Sequence, residues 1–195
     1  MYAEKADKVE IRYMEIEGVS YASGLQGSKG FGYEPLTNDF KVVVACGDEQ
    51  RRCCNYFKKG EHVAVYSLKS NSWKTPVMPD LCYSHGDGDD STCLVSCPYN
   101  TVSVVISGSI HWLIYFGCRN VMPPILVDAS YGVVAFDLTS EEFKLIKAPS
   151  SLRSANFAFI SICNLCGCLS LVTSRSSSCI KIWVMKNYGV WDSWT

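Results

Sequence analysis

Tyr33-Glu34-Pro35-Leu36-Thr37-Asn38-Asp39-Phe40-Lys41 sets a pattern that the chain repeats. It returns as Tyr66-Ser67-Leu68-Lys69-Ser70-Asn71-Ser72-Trp73-Lys74 and as Phe136-Asp137-Leu138-Thr139-Ser140-Glu141-Glu142-Phe143-Lys144. In each copy an aromatic residue ends an apolar run, polar turn residues follow, and a second aromatic stands seven positions on with a lysine after it. A stretched fourth copy places Trp183 and Trp194 eleven residues apart. Two antiparallel strands joined by a tight turn satisfy this spacing, with the aromatics facing each other across the pair. Repetition of such a unit is the signature of a stacked repeat architecture.

A second element is interleaved with the first. Val104 to Leu113 and Ile160 to Leu171 each read as strand, glycine-centred turn and strand, around Gly108 and Gly167. Glycine supplies the positive φ that a two-residue hairpin turn requires. Each hairpin is followed by an aromatic-pair unit, and two consecutive hairpins make a four-stranded antiparallel sheet of the kind that forms a propeller blade. Strands are predicted near 30–33, 40–46, 63–68, 72–76, 102–107, 110–115, 132–138, 142–147, 157–163, 168–173 and 180–185. No window sustains a helical apolar period. The fold class expected is all-β, antiparallel and propeller-like (kelch-like), as an incomplete ring of about four blades. The alternating Val9 to Ile16 predicts one strand in an N-terminal segment, 1–29, ahead of a single domain over 30–195.

Composition supports folding and narrows the chemistry. The 195 residues are 48% hydrophobic and 19% charged, far from the composition of disordered chains. A net charge of −1, from 18 basic and 19 acidic residues, gives no field for nucleic acid or an anionic membrane. No apolar run approaches the ~20 residues of a membrane-spanning helix. The eleven cysteines are odd in number, and Met1 is followed by a charged segment without a signal-type apolar core. A reducing, cytoplasmic or nuclear location is expected.

Catalytic and metal patterns do not assemble in the sequence. Cys163, Cys166 and Cys168 include a C-x-x-C spacing that suits zinc, but neither Cys93 and Cys97 nor Cys179 supplies a matching second pair, so small buried hairpin residues are the favoured reading. The polar loop Ser84 to Thr92 lacks the glutamate of a calcium loop, Pro98 standing in its place. There is no G-x-S-x-G elbow, and His62, His85 and His111 are scattered, which also disfavours a copper site. Gly30-Phe31-Gly32-Tyr33 lacks the third glycine and helix of a phosphate loop. No catalytic residue, metal or cofactor is expected, and a binding module is the leading reading. Its recognition loops are expected at Cys46 to Glu61 and Leu81 to Pro98. The alternative is an intracellular lectin or small-molecule binder using Trp112 and Tyr115 for stacking, although their strand positions favour core packing.

Taken in order, GFGYEPLTNDFKVV, VAVYSLKSNSWK, SGSIHWL, VVAFDLTSEEFKLI, LCGCLSLV and KIWVMKNYGVWDSWT resemble the F-box-associated domain of plant F-box proteins, of the S-locus F-box and F-box/kelch-like type. The resemblance runs from about Gly30 to Thr195. It implies a non-catalytic interaction domain that holds a target protein for ubiquitination by a Skp-cullin-F-box ligase. Ahead of Gly30 there is no Leu-Pro-x-x-Leu opening or Cys-x-x-Trp ending of an F-box, so a Skp-type adaptor and cullin are expected as partners only if an F-box is supplied elsewhere. The family normally continues beyond the Ser193-Trp194-Thr195 ending, so a domain truncated at its C-terminus is expected. The resemblance leaves the partner-binding residues unassigned. The residues singled out are the repeat aromatics Tyr33, Phe40, Tyr66, Trp73, Phe136, Phe143, Trp183 and Trp194.

Overall fold

Asn38, Asn71 and Glu141 hold the sixth position of the three nine-residue copies, and in the computed structural model all three adopt left-handed backbone, with φ of 52°, 51° and 56°. The structure describes residues 29–46, 62–76, 94–96, 102–117, 130–152, 157, 159–176 and 179–195. Asparagine tolerates that conformation because its short amide bonds locally. In the two asparagine copies the preceding tyrosine reaches the same side chain: Tyr33 Oη donates to Asn38 Oδ1 at 2.8 Å and Tyr66 Oη to Asn71 Oδ1 at 2.5 Å. The third copy begins with Phe136, which has no hydroxyl, and carries glutamate at the turn. The second residue of each copy closes the turn from the other side. Glu34 accepts from the Leu36 and Thr37 amides, Ser67 Oγ from Ser70, and Asp137 Oδ1 from Thr139 and Ser140.

These turns link strands into three antiparallel sheets. The first is β1 (Lys29–Glu34), β2 (Asp39–Cys46), β3 (His62–Ser67) and β4 (Ser72–Lys74) in sequential order. The second contains β5 (Leu94–Ser96), β6 (Val104–Ile106), β7 (Ser109–Gly117), β8 (Ser130–Asp137) and β9 (Phe143–Lys147). There β6 and β5 both pair with β7, and β8 and β9 follow. The third is β10 (Phe159–Leu165), β11 (Cys168–Ser176) and β12 (Cys179–Val184), extended by a bridge from Met185 to Trp194. Short 3-10 turns occupy Ser150–Leu152 and Trp191–Ser193. The two glycine hairpins turn on Ser107-Gly108 (φ 51° and 72°) and Cys166-Gly167 (50° and 83°), both central residues being left-handed as in type I′ turns.

The described residues therefore hold three sheets where about four blades were expected. The reason is that the first two aromatic copies share one sheet: Tyr33 to Phe40 spans β1–β2 and Tyr66 to Trp73 spans β3–β4. Close backbone approach between sheets runs through β1, which lies against β6 and β7, and through β10, which lies against the same pair. The sheets fan outward from these inner strands, which is propeller geometry. The predicted strand Val9 to Ile16 and the loop Ser84 to Thr92 lie outside the described residues. Sequence reading missed β5, a three-residue strand inside the expected recognition loop 81–98.

Two cores fill the spaces between the sheets. Val43, Val63 and Val65 of the first sheet pack on Ile110, Trp112, Ile114, Val134 and Phe136 of the second. The opposite face of the second sheet, with Ile106, Leu113, Val133, Ala135 and Ile146, packs on Ile162, Leu169, Leu171 and Met185 of the third. The middle sheet is thus buried on both faces, which explains why β7 and β8 read as nearly unbroken apolar runs.

Candidate interaction face

In three strand pairings the aromatic partners stand in register across a hairpin. Tyr33 faces Phe40 with ring centroids 4.9 Å apart, Tyr66 faces Trp73 at 5.1 Å, and Phe136 faces Phe143 at 4.8 Å, all tilted. The fourth spacing works differently. Trp183 is in register with Leu171, while Trp194 bridges to Met185, so the two indoles are not opposite one another. Both nevertheless pack into the second core, and Trp194 Nε1 donates to Lys147 O at 2.9 Å, tying the third sheet to the second. These aromatics build the blades.

The hairpin turns come together at one end of the sheets. Lys69 Nζ donates to Thr37 O at 2.6 Å, Thr139 Oγ1 to Glu34 at 3.2 Å, and the Leu138 amide to Gly108 O at 3.0 Å, so turns from two sheets are bonded to each other. At the centre of this network lies Lys41, the lysine that ends the first copy. Its buried ammonium donates to Leu138 O at 2.5 Å and to Glu141 Oε1 at 2.8 Å, joining the first sheet to the β8–β9 turn. The corresponding Lys144 is exposed and stands 3.8 Å from Asp137.

Electrostatics reinforce the same joint. Glu34 is buried, but its hydrogen bonds, led by that from the Thr37 hydroxyl, outweigh desolvation and hold its carboxyl at about 2, well below the ordinary 4.5. At Asp39 burial pushes the carboxyl up, yet the Ser67 hydroxyl, the Lys69 amide and the Lys41 charge prevail and leave it lowered. Replacing Lys41 by methionine removes the donor to Leu138 O and the nearer of the two lysines paired with Glu141, leaving Lys74 at 3.7 Å, and is expected to lower stability by about 1–3 kcal/mol. The exposed Lys144→Met is expected to stay within ~0.5 kcal/mol, so paired denaturation curves check the contrast.

Of the three histidines, His111 alone has a described side chain; His85 and the His62 side chain lie outside the described set. His111 is fully buried on β7, with Nδ1 3.2 Å from Val104 O and Nε2 2.7 Å from Tyr188 Oη. The carbonyl fixes the proton on Nδ1, leaving Nε2 to accept from the tyrosine. Burial lowers the His111 pKa against the smaller upward pull of its backbone hydrogen bonds. Stability from a lowered histidine is complete above its unfolded value of 6.5 and is lost as pH falls through the folded one; that from Glu34 is complete above 4.5 and is lost as pH falls through about 2. Melting temperature is therefore expected to fall in two stages on acidification. His111→Gln should flatten the stage just below 6.5, and Glu34→Gln the stage below 4.5.

Other sequence candidates fall into place by their surroundings. Trp112, offered for ligand stacking, is 1% exposed and donates through Nε1 to Lys29 O at 3.0 Å, so it packs in the core. The Tyr115 side chain lies outside the described residues. Cys163, Cys166 and Cys168 are free thiols along one hairpin, and burial pushes the Cys163 thiol up. Among the described residues no group of three or more His, Cys, Asp or Glu is placed to hold a metal, and no helix is long and apolar enough to cross a membrane. The expected recognition loops 46–61 and 81–98 lie outside the described residues except for Cys46 and β5. Sequence reading missed the loop from Asn187 to Ser193. Its Ser193 hydroxyl donates to Asn187 O or Val190 O, at 2.9 and 2.7 Å, and accepts from the Asn187 amide, which braces a loop whose Val190 and Trp191 are exposed while Tyr188 is anchored through its hydroxyl on buried His111.

A profile described as the F-box associated beta propeller domain matches residues 25–195. The chain is 30% identical over 185 residues to F-box protein CPR1 of Arabidopsis thaliana, and the match covers 85% of this chain and 38% of that protein. F-box protein At4g22390 and F-box/kelch-repeat protein At3g23880 of the same plant are 28% and 24% identical, each over 166 residues, with the same coverage. The chain thus spans about two fifths of the length of these relatives. No solved structure matches. Three fanned antiparallel sheets and a family match over nearly the whole chain agree: the chain belongs to the F-box associated beta propeller domain family.

Proposed function

We propose that this chain is a non-catalytic protein-interaction domain that holds a target protein for a Skp-cullin-F-box ubiquitin ligase. Contact with the Skp-type adaptor and cullin is made through an F-box, not through the sheets described above. The observation that carries this reading is the turn end of the sheets. Its amides are already bonded by Glu34, Ser67 and Asp137, so a partner meets a face that needs little ordering on binding. From it project the exposed apolar groups Leu36, Val190 and Trp191 among exposed Lys69, Lys74 and Lys144. An exposed tryptophan on a braced loop is the kind of anchor that dominates protein interfaces.

The test is affinity capture from plant extract with the chain as bait, beside Leu36→Asp and Trp191→Ala. Both side chains are exposed, so these variants keep the fold and alter only the face. The expected result is a specific protein captured by the parent chain and lost, wholly or by at least about tenfold, with Trp191→Ala, a loss equivalent to ~1.4 kcal/mol. That protein should also become ubiquitinated when the domain is joined to an F-box. Equal capture by all three baits sinks this face as the recognition surface.

A further inference from the structure

One tyrosine ring stands between a fully buried imidazole and water. His111 is buried, yet Tyr188, whose hydroxyl bonds its Nε2 at 2.7 Å and whose ring meets it edge-on at 5.5 Å and 87°, is 42% exposed. His111 belongs to β7 of the second sheet and Tyr188 to the loop 187–193 that follows the third, so the contact spans two sheets. The base of the loop is held separately. Met185 bridges to Trp194, the Val184 and Thr195 backbones exchange hydrogen bonds, and Trp194 Nε1 bonds Lys147 O. Tyr188 therefore fastens the arm of the loop that carries it, and its release leaves the sheets joined.

The contact is built from neutral groups. Val104 O fixes the proton on Nδ1, so Nε2 is the acceptor, and the Ser109 hydroxyl reaches the same phenol oxygen from β7. Burial and then the charge of Asp137 on β8 raise the Tyr188 phenol, against the Ser109 bond, and keep it protonated as a donor. The Asp137 carboxylate is engaged by the Thr139 and Ser140 amides and stands 3.8 Å from Lys144. Among the described residues no carboxylate is ion-paired with the imidazole. The lysines at 147, 181 and 186 and Asp192 are exposed, and β10 brings only the Cys163 thiol, which burial holds neutral. A second proton on His111 would thus lack a counter-charge and turn Nε2 into a donor facing the hydroxyl that donates to it. Moving Tyr188 aside admits the water that hydrates the cation.

We infer that Tyr188 and His111 form a proton-operated latch, in which protonation of His111 releases Tyr188 and frees the loop 187–193 from the second sheet. Burial already lowers the His111 pKa, as a site that disfavours the charge must. An imidazole uncovered by the loop takes its proton near the ordinary 6.5, the covered one only below that. The latch is therefore fully closed above 6.5 and opens as pH falls toward the covered value, the open-to-closed ratio rising up to about tenfold per pH unit in that interval. The latch does not depend on what the loop binds. Its consequence, weaker capture at lower pH, rests on the target-binding reading, because Val190 and Trp191 ride on the same loop.

Backbone-amide NMR order parameters measure the latch. In the parent chain those from Tyr188 to Trp191 should fall from about 0.85, the rigid value, to below about 0.6 between about pH 7.5 and about pH 5, with an unchanged circular dichroism spectrum. His111→Gln offers Tyr188 an acceptor that does not titrate, so its loop should stay rigid across the range. Tyr188→Phe, at a half-exposed position, removes the donor, so its loop should already be mobile at the upper pH. Should glutamine disturb the buried site, the Tyr188→Phe comparison decides alone. A parent loop equally rigid at both ends of the range, one already mobile at the upper pH, a His111→Gln loop that loosens as the parent does, or a Tyr188→Phe loop that responds like the parent each overturns the inference. Capture from plant extract at both pH values separates the two readings. Constant capture while the loop loosens supports the latch and tells against Trp191 as the anchor.

Discussion

Replacing Trp112 by alanine is expected to lower the stability of the chain by about 3–5 kcal/mol, the range for truncating a buried large aromatic. The indole sits at the centre of the first core among Val43, Ile110 and Val134, and is 1% exposed. Two losses add. Its removal leaves a cavity that neighbouring strands cannot collapse into, because the sheet behind it is held on its other face by the second core. It also deprives Lys29 O of its Nε1 donor, on the strand that couples the first sheet to the second. Since a kcal/mol corresponds to about 2–4 °C in a domain of 150–250 residues, the midpoint should fall by roughly 6–20 °C. Trp112→Phe keeps most of the volume and loses the donor, so its smaller decrease separates the two contributions. Trp191→Ala, which truncates an exposed tryptophan, should leave the melting curve nearly unchanged. Equal losses at both positions would mean that Trp112 does not bridge the sheets.

Strand placement was legible because turn chemistry and apolar alternation agree. Ser107-Gly108 and Cys166-Gly167 mark their hairpins by glycine, and Asn38 and Asn71 mark theirs by asparagine. The aromatic spacing was legible for the same reason, since a fixed turn length puts its flanking residues in register. What could not be read was how copies group into sheets. The first two copies join because β2 pairs with β3 across a long intervening segment, and nothing local in Cys46 to Glu61 announces that pairing. Short β5 was missed for a related reason: Leu94-Val95-Ser96 pairs with the distal half of β7 and has no hairpin of its own. The joint at Lys41 was equally hidden. Its partners Leu138 and Glu141 are some hundred residues away, and the sequence presents Lys41, Lys74 and Lys144 as equivalent when only the first is buried.

Gly30→Val is expected to be the most disruptive single addition of atoms, at about 3 kcal/mol, the upper end of ordinary overpacking. The Gly30-Phe31-Gly32-Tyr33 stretch, which failed as a phosphate loop, has a packing purpose. β1 alternates strictly, so Gly30, Gly32 and Glu34 turn inward while Phe31 and Tyr33 turn out. A Cβ on Gly30 would overlap the Ile110 side chain and stand 2.7 Å from Trp112 Cζ2; one on Gly32 would stand 2.6 Å from Leu138 Cδ1. The obstacles are side chains, but at Gly30 they belong to the packed centre of the first core, where displacing Ile110 or Trp112 disturbs neighbours on the middle sheet. Glycine therefore lets β1 lie close enough for Trp112 to bond Lys29 O and for Lys41 to reach Leu138 O. Gly30→Ala should cost about half as much as valine, since only Cβ must be accommodated. Coupling supplies the decisive measurement: combined with Trp112→Phe, which removes the indole atom that the new methyl would meet at 2.7 Å, Gly30→Ala should cost at least ~0.5 kcal/mol less than in the parent chain. Simple additivity of the two substitutions would show that the glycine is not there to admit the indole, and would leave the close seating of β1 without its proposed cause.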